Sequence, residues 1–588
     1  MTSETGDAMT VNRRAWLKLA TVGTAAAGAG LATTAMASPP PANPAPTLTI
    51  LSKGAGKADY GKALALLADY IALHLKDYGL PGMTFCVTDR DGFSAVINAG
   101  WSDVDKRIPV GPDQLFQIGS ISKSFAAICV LRAASTGKLS LDDAVAAHLP
   151  GLPLPRETIT VRQLLTHASG LPDDAPFFPR GGDEHLWTGY KPGAQFSYSN
   201  TGYALLGALL ERIHGKPYVQ ILQTEALIPL GMTGAKGSIR SGDQPLYAGG
   251  YWPLVEDRPF AQRGVLGPAY FTDVVESAGC VAATAAEMTR YVRYLIGAGA
   301  GQGAPLLSDV DARAFTTPVI DAPVFGPKAR YAFGLGVVPV NGRQLLHHTG
   351  GMMAFSSSMH IDPEAGVGAF ASTNCRIGEY RPRDVTAYAC ELMLAARTGT
   401  AAPAPPPIRD DERIKTAADY AGRFETAAGE VVVLRAEGDK LFASYNGQDV
   451  GVRSQGEDMV LVLHPRFERL LLTFNREGGM VVSAWWGGVL FGKDAAHRSA
   501  PPAPPALAAM AGYYVNNDPW SGSLHVIARS DGLYADGVDL LVALPDGAYR
   551  VGKDATGCER LRFEALLDGR PQRLVVSGVD HVRMADDI

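Results

Sequence analysis

The sequence predicts an α+β domain followed by two small antiparallel β-barrels, and three observations carry that reading. Hairpin patterns stand at both ends of a region of about 350 residues with helical stretches between them, which indicates one sheet built from N- and C-terminal strands. Two proline-rich breaks, "GTAAPAPPPIRDD" at residues 399–411 and "AHRSAPPAPPA" at 496–506, cannot continue a helix or a central strand and act as semi-rigid spacers. The two tail segments that these breaks delimit also resemble one another. "DYAGRFET" near Tyr420 matches "AMAGYYVN" near Tyr513, and "LRAEGDKLFAS" matches "VIARSDGLYAD". Both tails continue as short β-rich runs between Gly, Asp or Asn turns, the spacing expected of a small barrel. The expected divisions are residues 1–37, 45–398, 410–495 and 506–588.

The first of these is read as a leader. Arg13 and Arg14 precede Trp16 and Leu17, a weakly apolar small-residue stretch follows, and Ala35-Met36-Ala37 fits an A-x-A cleavage site. That pattern is expected of a twin-arginine export signal, with a periplasmic or secreted mature protein that has no membrane span. Residues 59–79 have helical periodicity, and "MTFCVTDRDGFSAVINAGW" reads as a hairpin turning at Asp91-Gly92. Helices are expected over residues 120–135 and 203–214, then a second hairpin over 355–374 turning at Pro363 to Gly366, and a last helix over 385–397.

Composition narrows the function. Of 588 residues, 59 are Asp or Glu and 53 are Lys or Arg, a net charge of −6. With no basic surplus, neither nucleic acid nor an anionic membrane surface is an expected partner. The six cysteines are scattered, with no C-x-x-C pair and no Cys/His cluster at ligand spacing, so no metal and no cofactor is expected.

The chemistry begins at Ser120 and Lys123 in "QIGSISKSF". At i and i+3 on a helix the two side chains share a face. The helix N-terminus supplies free N–H groups and positive dipole, and burial lowers the proton affinity of an amine, so Lys123 can take the Ser120 proton. Further on, "FSYSNTGY" places Tyr198 and Asn200 two positions apart, just before a helix. "LLHHTGGMM" then places His348, Thr349 and Gly350 on a strand, where glycine lets a substrate backbone lie along the edge. Neighbouring His side chains on a strand face opposite ways, which assigns His348 to the cleft and His347 to the other face. His167 is expected to be a structural hydrogen-bonding residue at a helix end.

In these motifs, S-x-x-K, then Y-x-N, then H-T-G, the chain resembles the serine β-lactamase and penicillin-binding-protein superfamily. With Tyr in the second motif and His in the third, the combination resembles the branch of class C β-lactamases, D-alanyl-D-alanine carboxypeptidases, D-aminopeptidases and certain esterases. "PDQLFQIGSISKSF", "VRQLLTHASGLP" and "ESAGCVAATAAEMTRYV" also look like that branch, and the resemblance spans residues 64–394. It implies a β-lactamase-like domain, an antiparallel sheet flanked by helices with a helical subdomain. It also implies that Ser120 forms an acyl-enzyme, that Lys123 and Tyr198 share the proton transfers with either as the base, and that the N–H groups of Ser120 and Gly351 form an oxyanion hole. Asn200 would then position Lys123 or a substrate amide, and His348, Thr349 and Gly350 would line the strand side.

The third motif has His348 where a dedicated β-lactamase has lysine, and Met352 where a hydroxyl would help hold a substrate carboxylate. Two barrels behind the catalytic region look like the D-aminopeptidase arrangement. The expected activity is therefore hydrolysis of amide or peptide bonds, D-residue peptides first, with esterase or β-lactamase activity as the alternative. A penicillin-binding sensor that acylates without turnover, and a protein dominated by binding at its barrels, are the readings from other classes.

Overall fold

The computed structural model describes residues 44–182, 184–253, 266–378, 380–408, 411–518 and 520–585, so the leader read in residues 1–37 lies outside the described residues. Its centre is an antiparallel sheet in which the two expected hairpins meet. Gly82–Asp89 pairs with Phe93–Asp103, and Ser356–Asp362 with Val367–Thr373. The hairpins join through the pairing of Val367–Thr373 with Gly82–Asp89. Beyond them Arg343–Gly351 and Gly336–Val340 extend the sheet on one side, and Thr47–Lys53 closes the other.

The sheet thus joins N- and C-terminal strands, as the placement of the two hairpins predicts. Gly82–Asp89, Ser356–Asp362 and Val367–Thr373 are buried along their whole length, the small polar Ser356, Ser357 and Ser358 included, as expected when helices cover both faces. Gly61–Tyr78 and Arg383–Thr398 pack on one face, where Leu64, Leu67, Ile71, Tyr388 and Met393 form a core with Phe85 and Ile97. On the other face lies the larger core, built around Ser122–Ser135, Asn200–His214 and Ala285–Gly299.

Each tail segment closes into an eight-stranded antiparallel barrel, spanning Gly422 to Gly492 and Gly512 to Ala585. Closure leaves neither barrel with a free edge. The interiors are filled by side chains, Phe424, Val432, Leu472 and Phe491 in the first and Tyr514, Leu533, Leu561 and Leu574 in the second. Among the described residues no helix is long and apolar enough to cross a membrane, and no group of three or more His, Cys, Asp or Glu side chains is arranged to hold a metal.

One close approach fixes the site's geometry. The turn before Ser120 lies against Arg343–Gly351 so tightly that a Cβ on Gly350 would sit 1.9 Å from the Ile118 carbonyl oxygen. Gly119 has φ +56 and faces the backbone nitrogen of Gly351, 2.8 Å from where its own Cβ would stand. Gly350→Ala should therefore cost about 3 kcal/mol or more, because backbone and not a yielding side chain blocks the methyl group. Urea unfolding would show it as a lower midpoint at unchanged slope.

Candidate active site

Ser120 lies in a single 3₁₀ turn, Gly119–Ile121, that runs directly into the α-helix Ser122–Ser135. The helix thus starts two residues later than expected, and Ser120 caps nothing. Its half-buried hydroxyl is left facing the cleft. Lys123 follows in the first helical turn and is fully buried. Its Nζ donates to Ser120 Oγ at 3.1 Å, to Asn200 Oδ1 at 2.5 Å and to the Ala278 carbonyl at 2.9 Å. All three partners are neutral oxygens. Removal from water therefore dominates the ammonium's energetics and lowers the Lys123 pKa to about 7, against the opposing pull of Asp173, Asp174 and Glu276.

Tyr198 is half-buried in the loop before Asn200–His214 and bears on the same hydroxyl. A hydrogen bond with Ser120 partly offsets burial, which still holds the phenol well above its ordinary pKa. The Lys123 amine stands 4.9 Å from the Tyr198 ring centroid and 5.6 Å from that of Tyr203. His167 stacks on Tyr198 with centroids 4.2 Å apart, and its Nδ1 accepts the Ser199 N–H at 3.0 Å. It is the structural hydrogen-bonding residue expected, and it also sets the plane of the phenol.

His348 lies on Arg343–Gly351, facing Tyr198 at 6.3 Å between ring centroids, while His347 turns to the opposite face and stacks on His360. The tautomer of His348 follows from its neighbours. Nδ1 meets the Thr349 carbonyl at 2.6 Å, which only accepts, so Nδ1 carries the proton and Nε2 accepts from the Tyr331 hydroxyl at 3.1 Å. Burial lowers this ring's pKa to about 3, so it is neutral across the working range and adds no limb to a pH profile between 5 and 8. Thr349 is half-buried on the strand edge, and Gly350 and Gly351 carry the backbone past the Ser120 turn.

The structure thus brings Ser120, Lys123, Tyr198, Asn200 and His348 around one cleft, with Gly351 beside the turn that bears Ser120. Met352 is buried against Gly279 and offers the cleft no polar group. Sequence reasoning missed four contributors. Tyr331 orients His348. Ala278, whose loop is held by the pairing of Phe116–Gln117 with Ala282–Ala283, supplies a carbonyl to Lys123. Asp173 accepts two hydrogen bonds from Asn200. The Arg381 guanidinium stands over Gly351, 2.4 Å from where a Cβ there would be. Only Asp173 carried a local signal, directly following the "HASGLP" stretch.

Tyr331→Phe should lower kcat about 5- to 10-fold, because His348 Nε2 loses its donor and the ring its fixed orientation. Near-unchanged unfolding with the lower kcat would separate this from a packing defect.

The β-lactamase family model matches residues 67–392, more than half of the chain. The chain belongs to the β-lactamase family. Members of this family generally are serine hydrolases, which gives the Ser120 cluster its chemical context. Curated relatives include protein flp of Staphylococcus aureus, 30% identical over 174 residues that cover 26% of this chain and 34% of that protein. Penicillin-binding protein 4* of Bacillus subtilis is 32% identical over 149 residues, covering 23% and 33%. The chain thus spans about a third of the length of the curated relatives it matches. Among solved structures, the octameric penicillin-binding protein homologue from Pyrococcus abyssi shares the fold, with a TM-score of 0.51, 24% identity, and coverage of 73% of this chain and 99% of that one.

Proposed function

We propose that this chain is an exported serine hydrolase that cleaves amide bonds through a Ser120 acyl-enzyme, with peptides containing D-residues as its substrate class. The single observation that carries the reading is the Lys123 amine, buried among neutral oxygens 3.1 Å from the Ser120 hydroxyl.

In this reading Ser120 Oγ attacks the substrate carbonyl carbon and passes its proton to Lys123 Nζ as the C–O bond forms. Lys123 is the base because its amine is held near neutrality, while burial holds the Tyr198 phenol protonated. The tetrahedral oxyanion is received by the N–H groups of Ser120 and Gly351, which the glycine-only approach of turn and strand keeps together. As the C–N bond breaks, the proton moves from Lys123, by way of the Tyr198 hydroxyl, to the departing amine. Water then enters, loses a proton along the same route, and releases the acid. His348, neutral and engaged at both nitrogens, lines the wall beside Thr349 and Gly350.

The preference for D-residue peptides rests on the family resemblance and the two barrels behind the catalytic region. Arg381 beside Gly351 favours a narrower second reading, release of a residue with a free carboxylate, because a guanidinium there would pair with that group. Export rests on the Arg13-Arg14 leader. A panel of D- and L-amino acid p-nitroanilides, D-Ala-D-Ala peptides as free acids and amides, nitrocefin and short-chain esters tests the assignment. Turnover of D-residue amides above their L-counterparts supports it. A stable penicillin adduct on Ser120 with no turnover of any member would replace it with a sensor.

A further inference from the structure

The second barrel is docked on the catalytic domain beside Tyr198 and Asn200. Trp187 Nε1 donates to the Cys558 carbonyl at 2.7 Å, and Gln195 Nε2 to Thr556 Oγ1 at 2.8 Å. The Arg560 guanidinium lies 5.2 Å from the Trp187 ring centroid, and a Cβ on Gly189 would meet Cys558 Sγ at 2.8 Å. The approach is close enough to exclude water along this line.

Within that contact one carboxylate faces the site from behind. Glu559 Oε1 accepts the backbone N–H of Asp173 at 2.9 Å, while Oε2 accepts from the Ser577 hydroxyl of the same barrel. Asp173 Oδ1 in turn accepts both the backbone N–H and the Nδ2 of Asn200, each at 3.1 Å. The amide's orientation follows. With Nδ2 committed to a carboxylate, Oδ1 is the end that points at Lys123. A side chain of the second barrel is thus three hydrogen-bonded steps from the amine that faces Ser120. Asp174 lies against Asn200 as well, and burial beside Asp173 and Glu559 pushes its carboxyl well above the usual range.

We propose that Glu559 is a positioning residue for Lys123, acting through Asp173 and Asn200, so that the C-terminal barrel completes the catalytic site of the domain it is docked on. The inference rests on the Ser120 acyl-enzyme reading. Each link is a directional hydrogen bond to a buried group, and loosening one lets the amide turn and the amine drift from the hydroxyl. Misplacement on this scale lowers the rate more than it lowers substrate binding.

The test uses the full chain with p-nitrophenyl acetate, following the p-nitrophenolate burst together with the intact mass and peptide map of the acid-quenched protein. Glu559→Ala should lower the acylation rate and kcat about 10-fold with KM changed less than about 2-fold. Glu559→Gln, which keeps an acceptor oxygen for the Asp173 N–H, should recover most of that loss. Gln195→Ala, which loosens the same docking surface outside the relay, should acylate like the wild type. Equal acylation by the wild type and Glu559→Ala would overturn the inference, as would a loss that Gln195→Ala shares in full or that Glu559→Gln fails to relieve. A wild-type chain with no adduct on Ser120 would instead overturn the acyl-enzyme reading itself and this inference with it.

Discussion

Ser120→Ala should abolish turnover, by about 10⁴-fold or more in kcat, while leaving the fold as stable as before. The two halves of that expectation have separate causes. The hydroxyl is half-buried at the cleft and its contacts are the Lys123 amine and the Tyr198 phenol, so its removal leaves no cavity in either core. Among the described residues no other hydroxyl or thiol accepts a hydrogen bond from the Lys123 amine in its place. Thr349 is across the cleft on the strand, and all six cysteines are buried. Thermal unfolding within a degree or two of the wild type, together with lost turnover, is the expected pair of results. Unfolding at a much lower temperature would instead assign Ser120 a structural part.

The second large effect is that of Lys123. With its amine titrating at about 7, kcat/KM should rise with pH through an acid limb near that value, since only the neutral amine accepts the Ser120 proton. Lys123→Arg should lose about 10³-fold or more at every pH, because a guanidinium stays charged and cannot act as a base. The same burial has a stability signature. A folded pKa of about 7 against an ordinary 10.5 means that between those values the unfolded chain binds more protons than the native one, so stability rises with pH across that window. The cost of burying the charge is fully present below about pH 7. Lys123→Met should remove that slope, and urea midpoints measured from pH 7 to 10 would show it.

Those residues were legible because their chemistry is written locally. Ser120 and Lys123 are three positions apart, Tyr198 and Asn200 two, and His348 to Gly351 are contiguous, so one helix turn, one loop and one strand present each set. The alternation of a strand was enough to send His347 and His348 to opposite faces, and the structure places them so. The two hairpins and the two small barrels were legible for the same reason, since turn residues and period-two runs are local signals; the count of eight strands in each barrel came from the structure. What was not legible depends on which segments meet. Tyr331 sits in "KARYAFG" with nothing to mark it, and it matters only because its strand folds back beside His348. Ala278 contributes a carbonyl, which no side-chain pattern records. Glu559 lies 386 residues from the Asp173 N–H it accepts, in a tail segment that the sequence presented as a separate module. The helix start was misplaced by two residues because Gly119, with positive φ, opens a 3₁₀ turn before regular helix begins.

The most direct test is to trap the intermediate. The full chain is mixed at pH 8 with a chromogenic ester or amide that it turns over, quenched in acid, digested and mapped by mass. The account predicts one acyl group, carried by the peptide containing Ser120 and absent from Ser120→Ala, forming at a rate that falls as pH drops through about 7. An acyl group on another residue, or turnover that survives in Ser120→Ala, would contradict it.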